Sequence, residues 1–324
     1  MDWAAGHGYL DVLQLLHDAG SNACSTGALD DAAFHGHLDV VQWLHRHRTE
    51  GGTSAAVDSA IAANRHDIAA FLRSHCGLWI SDRALYSAAL AGNLEAVRYL
   101  DQECHASCGA KVMDVEARNG CTKQAMDYAA GAGYLETVIW LHEHRGEGCT
   151  TDAMDTAAQE GHLDVVQWLH ANRLEGCTVR AMENAAMGGH LDVVRFLHTH
   201  RSEGCSQDAM ASAGSFGHLA IVEFLHQHRT EGTTTNAIDW AAATGQLEVV
   251  QWLHANRSEG CSALAFYYAA RNNKAEMLQF LVGLQGTKAL QVAAVARARR
   301  CQDMVALKNL QAAGCAGAEV VNTE

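Results

Sequence analysis

The sequence predicts an all-α solenoid of about eleven stacked antiparallel helix pairs. Three observations predict it: a 28-residue sequence repeat, helix start and stop signals at fixed places in every repeat, and the absence of proline from all 324 residues. Proline interrupts helices and is common in turn-dense folds, so its absence favours a helical array. With 48% hydrophobic and 19% charged residues, the chain is too apolar to be disordered.

The repeat is defined by the string GHLDVVQWLH, which begins at Gly161 and recurs in ten copies. Successive copies are 28 residues apart, except for one interval of 41 residues. The first position of each copy, which we call the reference position, is Gly8, Gly36, Asn64, Gly92, Gly133, Gly161, Gly189, Gly217, Gly245 and Asn273. Glycine and asparagine tolerate positive φ angles, so we expect a left-handed residue here that ends the first helix of each repeat.

The first helix of each repeat has a start signal and a packing face. Eleven residues before the reference position stands serine or threonine, the preferred helix N-caps, in nine repeats out of nine: Ser25, Thr53, Ser81, Thr122, Thr150, Thr178, Ser206, Thr234 and Ser262. Alanine stands eight and four residues before the reference position. These spacings place the alanines on one helix face, which predicts close packing between first helices.

The second helix begins just after the reference position. Seven residues after it lies a row that is aromatic in nine of ten repeats: Leu15, Trp43, Phe71, Tyr99, Trp140, Trp168, Phe196, Phe224, Trp252 and Phe280. An aromatic row at helical spacing predicts core packing. Only Cys149 separates Gly148, which ends one second helix, from the N-cap Thr150. That space is too short for a β-hairpin, so the connections must be tight turns.

The string AMDTAAQEGHLDVVQWL, from Ala153 to Leu169, resembles the ankyrin repeat. The likeness covers nearly the whole chain and includes the double alanine, the glycine-ended first helix and the GHLDVV block. Two features depart from the family. Ala153, Met154 and Asp155 replace the usual Pro-Leu-His of the opening motif, and the period is 28 residues instead of about 33. We therefore expect ankyrin-like repeats without the family's β-hairpin fingers.

The resemblance implies a non-catalytic scaffold that binds a protein partner through the concave face of the first helices. The columns that vary most between repeats, five, two and one residues before the reference position, predict the contact residues. These are Phe34, Tyr128, Gln159, Met187, Phe216, Trp240 and Tyr268. Exposed aromatic residues are frequent binding hot spots. A surface under no particular constraint would also vary, and this alternative stays open at each position.

An acidic column lies six residues before the reference position: Asp2, Asp30, Asp58, Asp127, Asp155, Glu183 and Asp239. These carboxylates could attract a basic partner, or they could accept hydrogen bonds from neighbouring backbone amides. We favour the structural interpretation, because the column stands where the ankyrin family has its histidine.

The eleven cysteines and twenty histidines do not predict a disulfide framework, a metal site or a catalytic site. Cys121, Cys149, Cys177, Cys205 and Cys261 share one repeat position, and stacked repeats about 10 Å apart exceed the reach of a disulfide. We expect reduced thiols. Cys76, Cys104, His105 and Cys108 have irregular spacing for zinc, and the LHxHR histidines suit the negative end of a helix dipole. No nucleophile elbow, phosphate loop or zinc-protease motif is present, so we expect no enzyme and no cofactor.

Charge and hydropathy restrict the partners. The formal charge of -14 opposes nucleic acid binding, and no apolar stretch reaches the length of a membrane span. We expect a monomer in the cytoplasm, although the cluster of Arg297, Arg299 and Arg300 could also serve as a nuclear signal.

The whole chain, 1–324, is predicted to be a single repeat array with four parts. Residues 1–100 form the first four repeats, 101–120 a connection with a 13-residue insertion, 121–286 the regular repeats, and 287–324 a degenerate C-terminal cap and tail. Because the first repeat begins inside its own helix, an alternative function is an adaptor or effector fragment of a larger protein. Its catalytic or targeting domain would then lie outside this chain.

Overall fold

The computed structural model describes residues 1–81, 83–107, 115–230 and 232–318, without the side chains of residues 103–122. These residues form helices and turns with no β-strand, as the sequence predicts. The chain divides into two compact units. One comprises Met1–Ala153 with Ala171–Gly176, and the other Met154–His170 with Cys177–Glu324.

The described residues contain 22 α-helices in eleven pairs. The first helices of the pairs carry odd numbers: α1 (Asp2–Gly6), α3 (Thr26–His35), α5 (Ser54–Ala62), α7 (Ala84–Leu90), α9 (Val115–Gly131), α11 (Thr151–Gln159), α13 (Val179–Gly188), α15 (Asp208–Ser215), α17 (Asn236–Thr244), α19 (Ala263–Arg271) and α21 (Lys288–Arg300). The second helices carry even numbers: α2 (Leu10–Asp18), α4 (Leu38–His47), α6 (His66–His75), α8 (Leu94–Ser107), α10 (Leu135–His144), α12 (Leu163–Asn172), α14 (Leu191–His200), α16 (Leu219–His228), α18 (Leu247–Asn256), α20 (Ala275–Gly283) and α22 (Met304–Ala312).

Eight first helices begin shortly after the predicted cap. The eight caps whose side chains are described accept a hydrogen bond from the backbone N–H two residues later, at 3.1–3.2 Å: Ser25, Thr53, Ser81, Thr150, Thr178, Ser206, Thr234 and Ser262. The ninth predicted cap, Thr122, does not begin a helix: α9 starts at Val115, so Thr122 lies inside it and that prediction is wrong. Because a cap satisfies a backbone donor that the helix leaves unpaired, these residues fix where each pair begins.

Each first helix ends at the reference position in a left-handed residue, as predicted. Gly161 has φ of 80°, and even Asn64 and Asn273 adopt 56°. A second constraint acts at several of these glycines. A β-carbon on Gly161 would lie 2.3 Å from the Nδ1 atom of His190, and one on Gly189 would lie 2.6 Å from the His218 ring. Glycine is therefore required both for the backbone turn and for the approach of the next repeat.

Within each unit, first helices stack on first helices. Helices α1, α3, α5, α7 and α9 contact one another in order in one unit, as do α13, α15, α17, α19 and α21 in the other. The alanine columns form the buried seam, as in Ala185 and Ala213, and the second helices contribute buried Val-Val-Leu triplets such as Val193, Val194 and Leu197. Stability therefore comes from interfaces between neighbouring repeats.

The aromatic row is less buried than the sequence predicts. Trp140 is buried, but Trp43, Trp168, Phe196 and Trp252 are only half-buried. Leu15, which takes the place of the aromatic residue in the first repeat, is 69% exposed. The prediction of a core position is therefore wrong for most of the row, because the next repeat covers only one side of each ring.

The insertion and the C-terminal segment are helical where they are described. Helices α8 and α9 have 14 and 17 residues and stand before and after residues 108–114 in the chain, which lie outside the described part. Helix α21 has 13 residues and is followed by Gln302, whose φ is 53°. Gln302 is thus an eleventh reference position, 29 residues after Asn273, and α21 and α22 are the last helix pair.

Candidate binding surface on the first helices

The predicted contact residues lie on seven different first helices or at their ends. Phe34, Tyr128, Phe216 and Trp240 have exposed fractions between 38% and 59%. Gln159, Met187 and Tyr268 are half-buried. Adjacent alanines on the same helices are fully buried, so these large side chains extend away from the stacking seam. The structure places the predicted residues one per repeat, two of them in the first compact unit and five in the second.

Some of these residues also contact their neighbours. The ring of Tyr128 meets Tyr86 edge to face, with 4.7 Å between ring centroids. Gln159 accepts a hydrogen bond of 3.2 Å from the Nδ2 atom of Asn184. Sequence reasoning placed Trp3 in the same column but left it out of the contact set, yet it is 67% exposed and stacks on His7. Trp3 could have been selected from the sequence, because it is a large side chain at a position that varies between repeats.

The acidic column has a structural role, as favoured from the sequence. Each carboxylate accepts a hydrogen bond of 2.7–2.9 Å from the backbone N–H of the cap residue of the following first helix, 23 residues later in the chain. The six aspartates also accept the cap hydroxyl proton, as Asp155 does from Thr178 at 2.5 Å. We call this pair of bonds the carboxylate clamp. Where the acid is present, it joins one repeat to the next and engages the carboxylate in bonds between repeats.

Burial disfavours the charged form of two carboxylates of the clamp. Desolvation raises the pKa of Asp127 and of Asp239 above the ordinary value, although the hydrogen bonds from Thr150 and Ser262 oppose the shift. Both side chains are buried, at 8% and 2% exposure. The charged form of these carboxylates therefore depends on the clamp bonds for its stability.

The histidines nine residues after the reference position form a ladder with the next repeat. The Nδ1 atoms of His142, His170, His198 and His226 lie 3.1–3.5 Å from the Nη1 atoms of Arg173, Arg201, Arg229 and Arg257. An arginine can only donate, so each Nδ1 atom accepts and carries no proton. The same imidazoles meet the next aromatic ring edge to face, as His170 meets Phe196 at 5.5 Å. These histidines therefore join repeats, which the dipole interpretation did not foresee.

The histidines eleven residues after the reference position behave as predicted. The Nδ1 atoms of His144 and His200 donate to the backbone carbonyls of Trp140 and Phe196 at 2.9 and 3.0 Å. Each of these bonds satisfies a carbonyl group near the C-terminus of a second helix. This set therefore stabilises the helix ends.

The ladder arginines also pair with a glutamate two residues later. The pairs are Arg48 with Glu50, Arg173 with Glu175, Arg201 with Glu203, and Arg257 with Glu259. Burial of Glu175 would raise its pKa, but the hydrogen bonds from Arg173 and from the backbone outweigh it and lower the pKa to about 2. The pKa values of Glu50, Glu203 and Glu259 are lowered as well.

These pairs predict a loss of stability in acid. A carboxyl group whose pKa is lowered by folding contributes stability above its unfolded pKa, and this contribution is lost as the pH falls through the folded pKa. We expect the free energy of unfolding to fall as the pH is lowered from about 5 to about 2. In Glu175→Gln this fall should be smaller than in the wild type, as measured by urea titrations at each pH. Equal slopes for both proteins would contradict the assignment.

The cysteines in the described part are free thiols: Cys24, Cys76, Cys149, Cys177, Cys205, Cys261, Cys301 and Cys315. Burial raises the pKa of Cys149, Cys177 and Cys261 to about 11, which makes these thiols poor nucleophiles at neutral pH. Among the described residues, no three histidine, cysteine or acidic side chains are arranged to hold a metal ion. The side chains of Cys104, His105 and Cys108 lie outside the described part, so the expectation that this group holds no zinc is not tested.

In the third repeat, the ladder is interrupted beside a cavity. Cys76 and Leu78 stand where other repeats have the paired arginine and glutamate. The Sγ atom of Cys76 lies 3.4 Å from the Nδ1 atom of His45, the position that an arginine would fill. A cavity of about 310 Å³ results, lined also by Leu29 and Leu44. Its cause is a smaller side chain at a position that otherwise joins two repeats.

Comparisons with known proteins agree with the repeat pattern. The family described as ankyrin repeats (many copies) matches residues 1–45, 154–198 and 238–282, and the family described as ankyrin repeats (3 copies) matches residues 182–259. Together the matches cover more than half of the chain. A search of curated proteins found no match. No helix in the described part has both the length and the apolar character needed to cross a membrane. With its glycine-ended first helices, its GHLDVV blocks and these matches, the chain belongs to the ankyrin repeat family, whose repeats generally mediate protein–protein interactions.

Proposed function

We propose that this protein is a non-catalytic interaction scaffold that binds a protein partner along the exposed side of its first helices. The observation that carries the proposal is the exposure of large side chains at positions that serve no packing column. Phe216, just after α15, and Trp240 on α17 are exposed, although Ala213 and Ala241 near them on the same first helices are buried. Aromatic side chains that are ordered by a rigid helix lose little entropy on binding, which makes them effective contact residues.

The clamp and the ladder support the same assignment. They engage the acidic column and the histidines of the second helices in bonds between repeats, so these polar groups are committed to stability. The variable first-helix row has no such repeated bonds. It is therefore the surface on which contacts can differ from repeat to repeat without loss of the fold.

We expect the double substitution of Trp240 and Tyr268 by alanine to weaken partner binding by about 1 to 3 kcal/mol, because both would be central contacts. The melting temperature should change little, because Trp240 is exposed and Tyr268 is half-buried. The partner is first isolated by affinity capture on the full chain, and its affinity for wild type and variant is then measured by calorimetry.

Two results would contradict the proposed surface. One is unchanged affinity of a folded Trp240→Ala, Tyr268→Ala variant. The other is loss of binding in a folded variant with His170→Ala and His198→Ala, since those residues lie on the second-helix side. Unfolding of the first variant would show that the two aromatic residues are core residues.

A further inference from the structure

The last two helix pairs border an open polar cavity of about 520 Å³. Its walls include Tyr267, Tyr268 and Arg271 of α19, Arg297 of α21, and Asp303 just before α22. Tyr268 is one of the seven proposed contact residues, Phe34, Tyr128, Gln159, Met187, Phe216, Trp240 and Tyr268, which we call the contact row. The cavity therefore opens at the C-terminal end of that row.

The carboxylate clamp is missing beside this cavity. Tyr267 occupies the position six residues before the reference, where most repeats have an acid. Its hydroxyl group donates to the Oδ2 atom of Asp303 at 3.1 Å. The Oδ1 atom of Asp303 accepts from the backbone N–H of Ala306 at 3.0 Å and caps α22. The only carboxylate lining the cavity is thus already engaged by two donors.

Two arginines line the wall, and one of them has a buried donor without a partner. The Nε atom of Arg297 is buried and has no hydrogen-bond partner, while its guanidinium group lies 5.1 Å from the centroid of the Tyr267 ring. The Arg271 side chain is 57% exposed, and its Nε atom is 3.7 Å from the Oδ2 atom of Asp303, beyond good hydrogen-bond distance. A buried donor without an acceptor is unfavourable, and an incoming acceptor would relieve that cost.

The register of the last pair places Arg297 in the contact row. With Gln302 as the reference position, Arg297 stands five residues before it, as Trp240 stands before Gly245 and Tyr268 before Asn273. The row of large uncharged side chains therefore ends in a cation. No other member of that column is an arginine or a lysine.

The charge of this part of the chain differs from that of the rest. From residue 263 to the end, the sequence has seven lysines and arginines and four acids, whereas the whole chain has 23 and 37. This reversal would draw an anionic group towards the C-terminal repeats and away from the acidic remainder.

We propose that this cavity binds an oxyanion group of a partner peptide, either the carboxylate of an acidic residue or the phosphate of a phosphorylated one. The proposal rests on the proposed function as a protein-binding scaffold and names the chemistry at one end of its surface. Arg297 and Arg271 supply planar N–H donors that match the oxygens of either group. Tyr268 supplies an aromatic wall beside them.

The test uses the full chain and fluorescein-labelled peptides of equal length in anisotropy titrations. The probes are hexaglutamate, a hexaglutamine peptide with one central phosphotyrosine, and hexaglutamine as the neutral control. We expect at least one anionic peptide to bind tenfold or more tightly than hexaglutamine, and the difference between the two identifies the preferred oxyanion. If neither anionic peptide binds more tightly than hexaglutamine, the proposal is overturned.

The variants locate the site. Arg297→Gln and Arg271→Gln should each weaken the preferred peptide by about tenfold or more. Arg300→Gln removes the same charge from the same helix at an exposed position outside the cavity, and it should weaken binding by less than about threefold. Equal losses in Arg300→Gln and Arg297→Gln would overturn the proposal in favour of general electrostatic attraction. Circular dichroism melting of each variant, with Arg297→Lys as a charge-conserving control, separates these effects from unfolding.

This result can be distinguished from the test of the scaffold itself. If the captured partner binds and depends on Trp240 while the anionic peptides do not bind, the scaffold proposal stands and the cavity proposal fails. If the anionic peptide binds through Arg297 while no captured protein depends on Trp240 and Tyr268, the cavity proposal stands and the extended contact row fails.

Discussion

Leu197→Ala is expected to lower the free energy of unfolding by about 2 to 5 kcal/mol. Leu197 is 1% exposed and lies between Val194 and the neighbouring repeats, so its loss leaves a cavity that the rigid helices cannot close. The adjacent Phe196→Ala removes a larger side chain but should cost no more than about half as much, because the ring is half-buried. Urea unfolding of the full chain, followed by circular dichroism, measures both values.

This pair of variants tests the burial of the aromatic row directly. If Phe196→Ala destabilised the protein more than Leu197→Ala, the aromatic residues would be the core after all. The same comparison is available at Trp168 and Leu169, where the leucine is again buried and the aromatic residue half-buried.

Asp239→Ala is expected to cost about 1 to 3 kcal/mol, because it removes both clamp bonds and leaves the backbone N–H of Ser262 without its acceptor. Asp239→Asn is the matched control. The amide oxygen can still accept from that N–H, and the neutral side chain avoids the desolvation that raises the pKa of Asp239. We expect the asparagine variant to be within about 1 kcal/mol of the wild type in urea titrations at pH 7.

Equal destabilisation by alanine and asparagine would show that the negative charge itself holds the two repeats together. Equal stability of all three proteins would show that the clamp contributes nothing. Glu183→Ala offers a second comparison. Glu183 accepts the backbone N–H of Ser206 at 2.8 Å and is half-buried, so its loss should cost less than that of Asp239.

The helix pairs could be predicted from the sequence because their start and stop signals are local. Thr178 caps α13 through its own hydroxyl group, and Gly189 ends it through its own backbone conformation. Both signals can be recognised within one repeat, without knowing how the neighbouring repeat packs. Repetition then turned weak local preferences into a consistent pattern.

The contacts between repeats could not be predicted in the same way. Arg201 meets His170 across 31 residues, and that pairing depends on how two second helices pack side by side. Periodicity shows which face of α12 points inward, but it does not show how much of Trp168 the next repeat covers. Gln302 was missed as a reference position because its interval is 29 residues and it is neither glycine nor asparagine, and with it Arg297 was missed as a member of the contact row.

The contact row itself stays a prediction of the sequence, and the structure adds the exposure of its members. Phe34 and Phe216 could be selected because no packing column explains an aromatic residue there. The arginines of the C-terminal cavity could not, since their significance depends on the unpaired Nε atom of Arg297 and on the hydrogen bonds that already engage Asp303.

The carboxylate clamp has a consequence for how such a gene can change in length. A regular 28-residue unit such as the sixth carries an acceptor, Asp155, for the unit after it and a cap residue, Thr150, for the unit before it. In-frame duplication or deletion of a whole unit therefore leaves each acceptor facing a donor, and no new interface has to evolve. The 13-residue insertion follows the fourth repeat, where Tyr86 replaces the acid, so it interrupts the array at a junction that had no clamp to lose.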